Sequence, residues 1–139
     1  MEIKVNIGDP KAKKTAKLVL ANEQVKPLLH KKVGDFIKGD EIGYDGYEFE
    51  ITGGSDYCGF PMRKDVDGTM RKKILIVSGT GLRKNRPGRK VRKNVAGNTV
   101  YENTAQVNLK VIKHGKKPLF EEPKAEAAEG EAKAEEKKE

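Results

Sequence analysis

The chain never strings together more than four aliphatic residues, and its longest such run is Ile74-Leu75-Ile76-Val77. A membrane-spanning helix needs about twenty, so none is expected here, nor a membrane partner. The apolar content arrives instead in short alternating pieces. Ile3, Val5 and Ile7 alternate with Lys4 and Asn6, and Tyr47, Phe49 and Ile51 with Glu48, Glu50 and Thr52. Ala105, Val107, Leu109 and Val111 alternate in the same way with Gln106, Asn108 and Lys110. A period of two puts successive side chains on opposite faces of a strand, the pattern of a sheet buried on one side. Gly8-Asp9-Pro10 should turn the first strand into another over Ala16 to Leu20, and Gly53-Gly54 should end the run through Phe49. The β-branched-rich run Ile74 to Val77 predicts a strand covered on both faces. One short helix is expected from Asn22, as its cap, through Leu29, with Pro27 limiting its regular length. Val33 to Gly43, punctuated by glycine, reads as a loop with brief extended pieces. The sum is a small mainly-β domain over residues 1–120, a closed or partly open β-barrel, because closure removes exposed strand edges.

Charge divides the chain further. Its 139 residues carry 29 Lys and Arg against 21 Asp and Glu, a formal net charge of +8. Residues 121–139 hold eight Glu and four Lys, with Ala as almost their only apolar side chain, so the preceding 120 residues carry +12. Ala, Glu and Lys cannot bury enough surface to offset ordering entropy, and a disordered acidic tail is expected. Of the +12, residues 63–93 supply +10: twelve cations against Asp65 and Asp67. A field of one sign confined to one segment points to a polyanion.

The twelve cations are Arg63, Lys64, Arg71, Lys72, Lys73, Arg83, Lys84, Arg86, Arg89, Lys90, Arg92 and Lys93. Seven of them fall between Ser78 and Asn94, where only Leu82 and Val91 are sizeable apolar residues. Such a loop has nothing to pack and its charges repel. It is either a solvated surface loop or a phosphate-binding one, and long structureless loops in compact domains are usually functional. Arg forks suit phosphate and stacked bases. No recognition-helix pattern, zinc-finger spacing or basic-zipper heptad accompanies it, so RNA is expected rather than DNA. Beside it, Gly53, Gly54 and Gly59 permit positive φ or a close backbone approach, by a turn or by a phosphate. Phe60 and Met62 fit a plug at one end of the core. Tyr57 fits either a stacking platform or a core cover.

No catalytic residue, metal ligand set or cofactor is expected. His30 and His114 lie near no nucleophile elbow or second ligand in the sequence. Cys58 is the one cysteine, unable to form an internal disulfide, and suggests a reducing compartment. The spacing around Gly79, Gly81 and Gly88 fails the phosphate-loop pattern, and Asp65-Val66-Asp67-Gly68 is too short for a calcium loop. Glu2-Ile3-Lys4-Val5 does not open as a secretory leader.

Several blocks together carry a resemblance. Gly53-Gly-Ser-Asp-Tyr-Cys-Gly-Phe-Pro-Met-Arg-Lys-Asp65, the basic Gly81-to-Lys93 loop, Gly97-Asn98-Thr99-Val100 and Ala105 to Val111 resemble the eukaryotic/archaeal-type sixth family of small ribosomal subunit proteins, in its short archaeal form. The resemblance spans roughly residues 1–113. It implies a structural, non-enzymatic component of the cytoplasmic ribosome, with a β-barrel-like domain on small-subunit ribosomal RNA and neighbouring ribosomal proteins. A free RNA chaperone or translation regulator using the same surface is the alternative. Ala96 stands where the resemblance implies an Arg. The acidic tail replaces the long basic, serine-bearing extension of eukaryotic members, so phosphorylation-linked regulation does not carry over.

Overall fold

The computed structural model describes residues 2–83, 88–115 and 119. Seven strands form two sheets. β1 (Glu2–Asp9), β2 (Lys14–Ala21), β3 (Phe36–Lys38), β4 (Glu48–Asp56) and β7 (Thr104–Lys113) make a five-stranded sheet in the order β2-β1-β7-β4-β3. β5 (Lys72–Ile76) and β6 (Val91–Val95) make a separate two-stranded ribbon. All neighbours are antiparallel except β1 and β7, whose parallel pairing runs from Lys4↔Gln106 to Gly8↔Lys110.

The alternation read from the sequence is what buries one face of the large sheet. Ile3, Val5 and Ile7 of β1, Phe49 and Ile51 of β4, and Val107, Leu109 and Val111 of β7 form one cluster. Lys4, Asn6, Gln106 and Asn108 fall on the opposite face, where Asn108 Oδ1 accepts from Asn6 Nδ2 at 3.1 Å and from Gln106 Nε2 at 2.9 Å. The turn after β1 is Pro10 to Lys13, and the Asp9 carboxylate organises it by accepting from the Lys11 and Ala12 amides at 2.8 and 3.3 Å.

The mainly-β class holds, but the sheet does not close into a barrel. Its ends, β2 and β3, do not pair. Instead α1 (Asn22–Val25) and a 3-10 turn (Lys26–Leu28) lie across the open side, with Val25 and Leu28 fully in the core. α1 also packs against a second 3-10 turn, Gly39–Ile42, which follows β3. Val25 and Leu28 thereby cover the apolar face without strand-to-strand closure. The edges are blunted as edges usually are: β3 is only three residues long, and β2 carries Lys14 and Lys17.

Three local expectations are corrected. Asn22 is the first helical residue and Ala21 occupies the cap position, while the helix yields to the 3-10 turn at the residue before Pro27. Gly53 and Gly54 do not end β4, which continues through them to Asp56 with register shifts against β7. A Cβ on Gly54 would collide with the Gln106 carbonyl and lie 2.9 Å from Met62 Sδ, so glycine keeps a strand here rather than breaking one. Ile74 to Val77 is not covered on both faces. Ile76 is buried, but Leu75 is 58% and Val77 46% exposed, because the ribbon has a packed layer on one side only.

Candidate nucleic-acid interface

The ribbon grows from the end of the large sheet nearest Ser55. Bridges Ser55↔Pro61 and Met62↔Ala96 join its root to β4, and Met62 donates its amide to the Gly54 carbonyl at 2.9 Å. The close approach that Gly54 allows is therefore what lets Met62 enter the main core, where it is 5% exposed. Ala96 is 1% exposed at the same junction, donating to the Pro61 carbonyl at 3.0 Å. Gly59, at φ 79°, makes the turn between.

Below the ribbon, residues 63–71 are folded by a hub at Asn98. Its amide donates to the Val66 carbonyl at 2.8 Å, and its Nδ2 to Asp67 Oδ1 at 2.8 Å and the Lys64 carbonyl at 3.3 Å. The preceding Gly97 is obligatory by contact, since a Cβ there would overlap the Gly68 carbonyl. Val66, Ile76 and Val95, with Ile74 and Leu82 against them, give the ribbon a small core of its own. The segment's other fixing point is the ion pair of Arg71 with Asp56, whose carboxylate is fully buried. The Arg71 guanidinium also lies 4.6 Å from the Tyr57 ring centroid and 5.2 Å from that of Phe60. Hydrogen bonding to Asp56, then to Tyr57, holds Arg71 well above the usual guanidinium range and fixes its charge. Burial, with the Asp56 carboxylate second, pushes the nearby Tyr101 phenol up.

The twelve cations expected to meet RNA therefore divide. Arg71 is committed to Asp56. Arg63, its side chain 15% exposed, donates to Asp65 at 2.7 Å and to the Thr80 carbonyl at 2.9 Å. Lys72 donates to the Asp67 carbonyl at 3.0 Å. Lys64 is exposed and extends over Gly34, whose Cβ would lie 3.3 Å from its Nζ. Together Gly34, Ile51, Met62, Arg63, Lys64 and Thr80 line a cleft of about 380 Å³ between the large sheet and the ribbon.

The side chains of the remaining described cations, Lys73, Arg83, Arg89, Lys90, Arg92 and Lys93, are all exposed and make no hydrogen bond or ion pair with the described residues. Lys84 and Arg86 lie outside the described residues. Sequence reading placed Arg92 and Lys93 in a loop, whereas they sit on β6. Leu75↔Arg92 and Lys73↔Asn94 share the ribbon's outer face, and Ile74↔Lys93 and Ile76↔Val91 its inner one. The basic loop is thus the end of a ribbon, and its first and last turns are held on a packed base.

Tyr57 is 65% exposed, so of its two readings the core cover is excluded; its ring shields Arg71 instead. Phe60 is half-buried under the same guanidinium. Cys58 is exposed and free. Asn98 and Asp56 stand within the blocks that carry the resemblance, but the sequence assigns neither a role. Nothing local marks Asn98 as a hub, since its side-chain partners are 31 and 34 residues away.

A family model described as "Ribosomal protein S6e" matches residues 3–122. The chain belongs to this family. It is similar to proteins named small ribosomal subunit protein eS6 from several archaea. The Nanoarchaeum equitans protein is 45% identical over 120 residues, 86% of this chain and 87% of that one. The Archaeoglobus fulgidus protein is 40% identical over 122 residues, covering 87% and 95%. The Methanosphaera stadtmanae protein is 40% identical over 132 residues, covering 93% of this chain and all of that one. The resemblance read from the glycine block and the strand at Ala105 is therefore upheld, and the family is one of ribosomal proteins, not enzymes.

Proposed function

We propose that this chain is a structural constituent of the cytoplasmic small ribosomal subunit, held on its ribosomal RNA by the β5–β6 ribbon and the loop joining its strands. Residues 1–120 are the RNA-bound domain in this reading, and neighbouring ribosomal proteins are its other partners. The observation that carries it is the division of the cations. Arg63, Arg71 and Lys72 are spent on internal oxygen atoms, while Lys73, Arg83, Arg89, Lys90, Arg92 and Lys93 lie exposed on the ribbon and the loop joining its strands, with no side-chain partner among the described residues. Charges held together against their mutual repulsion, on a ribbon with its own apolar base, are suited to a ligand of dense negative charge. Phosphates fit, because each contact releases a condensed counterion. Lys64 and the cleft beside it extend the surface toward the large sheet, and Lys84 and Arg86 belong to the same loop by sequence.

Six phosphate contacts correspond to a log–log salt slope of about −4 on the scale for single strands. Replacing Lys73, Arg83, Arg89, Lys90, Arg92 and Lys93 by Gln should make the slope much less steep, leaving what Lys64, Lys84 and Arg86 still contribute, while the circular-dichroism spectrum is retained. An unchanged slope would reject the ribbon as the RNA surface. Stable sedimentation of the wild-type chain with small subunits through high salt is the outcome expected for a structural constituent. Migration with free RNA alone would instead favour a transient RNA chaperone or regulator.

A further inference from the structure

The ribbon carries more positive charge than the described part of the chain answers. Lys73 and Arg92 are diagonal neighbours on its outer face, and Arg92 and Lys93 are consecutive. Diagonal positions are about 7–8 Å apart, inside the screening length of about 8–10 Å at physiological salt. These like charges repel in the free protein, and an anionic partner within reach would relieve them.

The sequence contains one. Residues 121–139 carry eight Glu, and their net charge is −4. The last described residue, Leu119, packs against the main core, and it follows β7, which runs the length of the sheet. A ten-residue strand is about 34 Å long, and the twenty residues that follow Leu119 can span at most about 70 Å. The acidic segment therefore reaches the ribbon from where it starts, and tethering gives it an effective concentration in the millimolar range.

We infer that segment 121–139 docks on the exposed cations of the ribbon in the free protein and that RNA displaces it; this rests on the ribbon's being the RNA surface. The match is graded rather than complete. A net charge of −4 cannot neutralise +10, and Lys124, Lys133, Lys137 and Lys138 interrupt the run of Glu. RNA carries a phosphate at every nucleotide without interruption, so it wins the exchange when it binds in register. Because the docked and RNA-bound states exclude one another, docking divides every RNA affinity by the same factor. The segment sets a threshold rather than a preference: strong, multi-contact binding survives and weak contacts are lost.

The test uses the full-length chain with Cys58→Ser and Ala134→Cys, a nitroxide attached at position 134, and amide NMR. Docking is expected to broaden amides of 72–76 and 91–95 and to spare those of β2. The broadening should vanish in about 0.5 M salt, where screening acts within about 4 Å, and in a variant with all eight Glu of the segment changed to Gln. That variant should also bind an oligouridylate about three- to tenfold more tightly at low salt, the factor for a docked fraction of about two-thirds to nine-tenths. Ribbon amides without broadening, broadening that persists in high salt, or broadening undiminished by saturating oligouridylate would each overturn the inference. RNA-induced shifts at ribbon amides that lack tail broadening would reject docking and leave the RNA surface standing. Tail broadening with no RNA-induced shift at the ribbon would reject the RNA surface itself, and displacement with it.

Discussion

Arg71 and Arg92 differ in what surrounds them, and charge alone does not distinguish them. Arg71 answers a carboxylate that is wholly buried, and its guanidinium sits between Tyr57 and Phe60. Removing it strands Asp56 in a site with no other cation in ion-pair range among the described residues, and an unpaired buried charge is strongly unfavourable. Arg92 is exposed on the ribbon with no described partner. Arg71→Ala is therefore expected to lower the thermal midpoint clearly while leaving the salt slope of RNA binding unchanged. Arg92→Ala should leave the midpoint alone and make the slope about 0.7 less steep, the value of one phosphate contact on a single strand. Thermal melts and salt titrations on the two variants check this; the two profiles exchanged would refute the division. Sequence could list both residues as cations but could not separate them, because Asp56 is fifteen positions from Arg71 and nothing local marks it as buried.

At the scale of elements, the legible strands were those whose alternation is set by a one-sided core. β1, β4 and β7 are each read from three or four apolar residues at period two, and β2 follows from its turn. β6 was not legible: Val91-Arg92-Lys93-Asn94-Val95 pairs fully with β5, yet its charges mask its two valines in the pattern. Ile74 to Val77 misled in the opposite sense, since a continuous apolar run says that side chains are apolar and not that two layers exist to cover them. Of the closed and partly open forms that the pattern allows, the sheet takes the open one. Edge avoidance is a general pressure, and here the shortness of β3 and the lysines of β2 meet it, while α1 and the 3-10 turn after it cover the apolar face. What holds the ribbon on the sheet was visible only as glycines. Gly97→Ala places a methyl group onto the backbone oxygen of Gly68, which no side-chain rotation can relieve. Overpacking of this kind costs about 1–3 kcal/mol or more, and urea unfolding should show a loss in that range. An unchanged midpoint would mean that the Asn98 hub is not what fixes residues 63–71.

Over the whole molecule, the ribbon's charge works against the fold that presents it. Residues 63–93 hold +10 on a base whose own buried cluster is Val66, Ile76 and Val95, much smaller than that of the large sheet. Self-repulsion of a concentrated charge destabilises the compact state and is weakened by salt. The −4 of the acidic segment offsets less than half of it, so repulsion still outweighs attraction and fixes the sign of the salt effect. The wild-type thermal midpoint should rise between about 0.05 and 0.5 M salt, an interval over which the screening length falls from about 14 to about 4 Å. The variant with Gln at Lys73, Arg83, Arg89, Lys90, Arg92 and Lys93 should begin higher at low salt and rise less. Surfaces selected for binding commonly sit below the stability their fold could reach, and this ribbon would be such a case. Parallel salt dependences in the two proteins would mean that the cations are too well solvated to strain the ribbon. The accumulation of positive charge would then have no stability penalty to set against RNA binding.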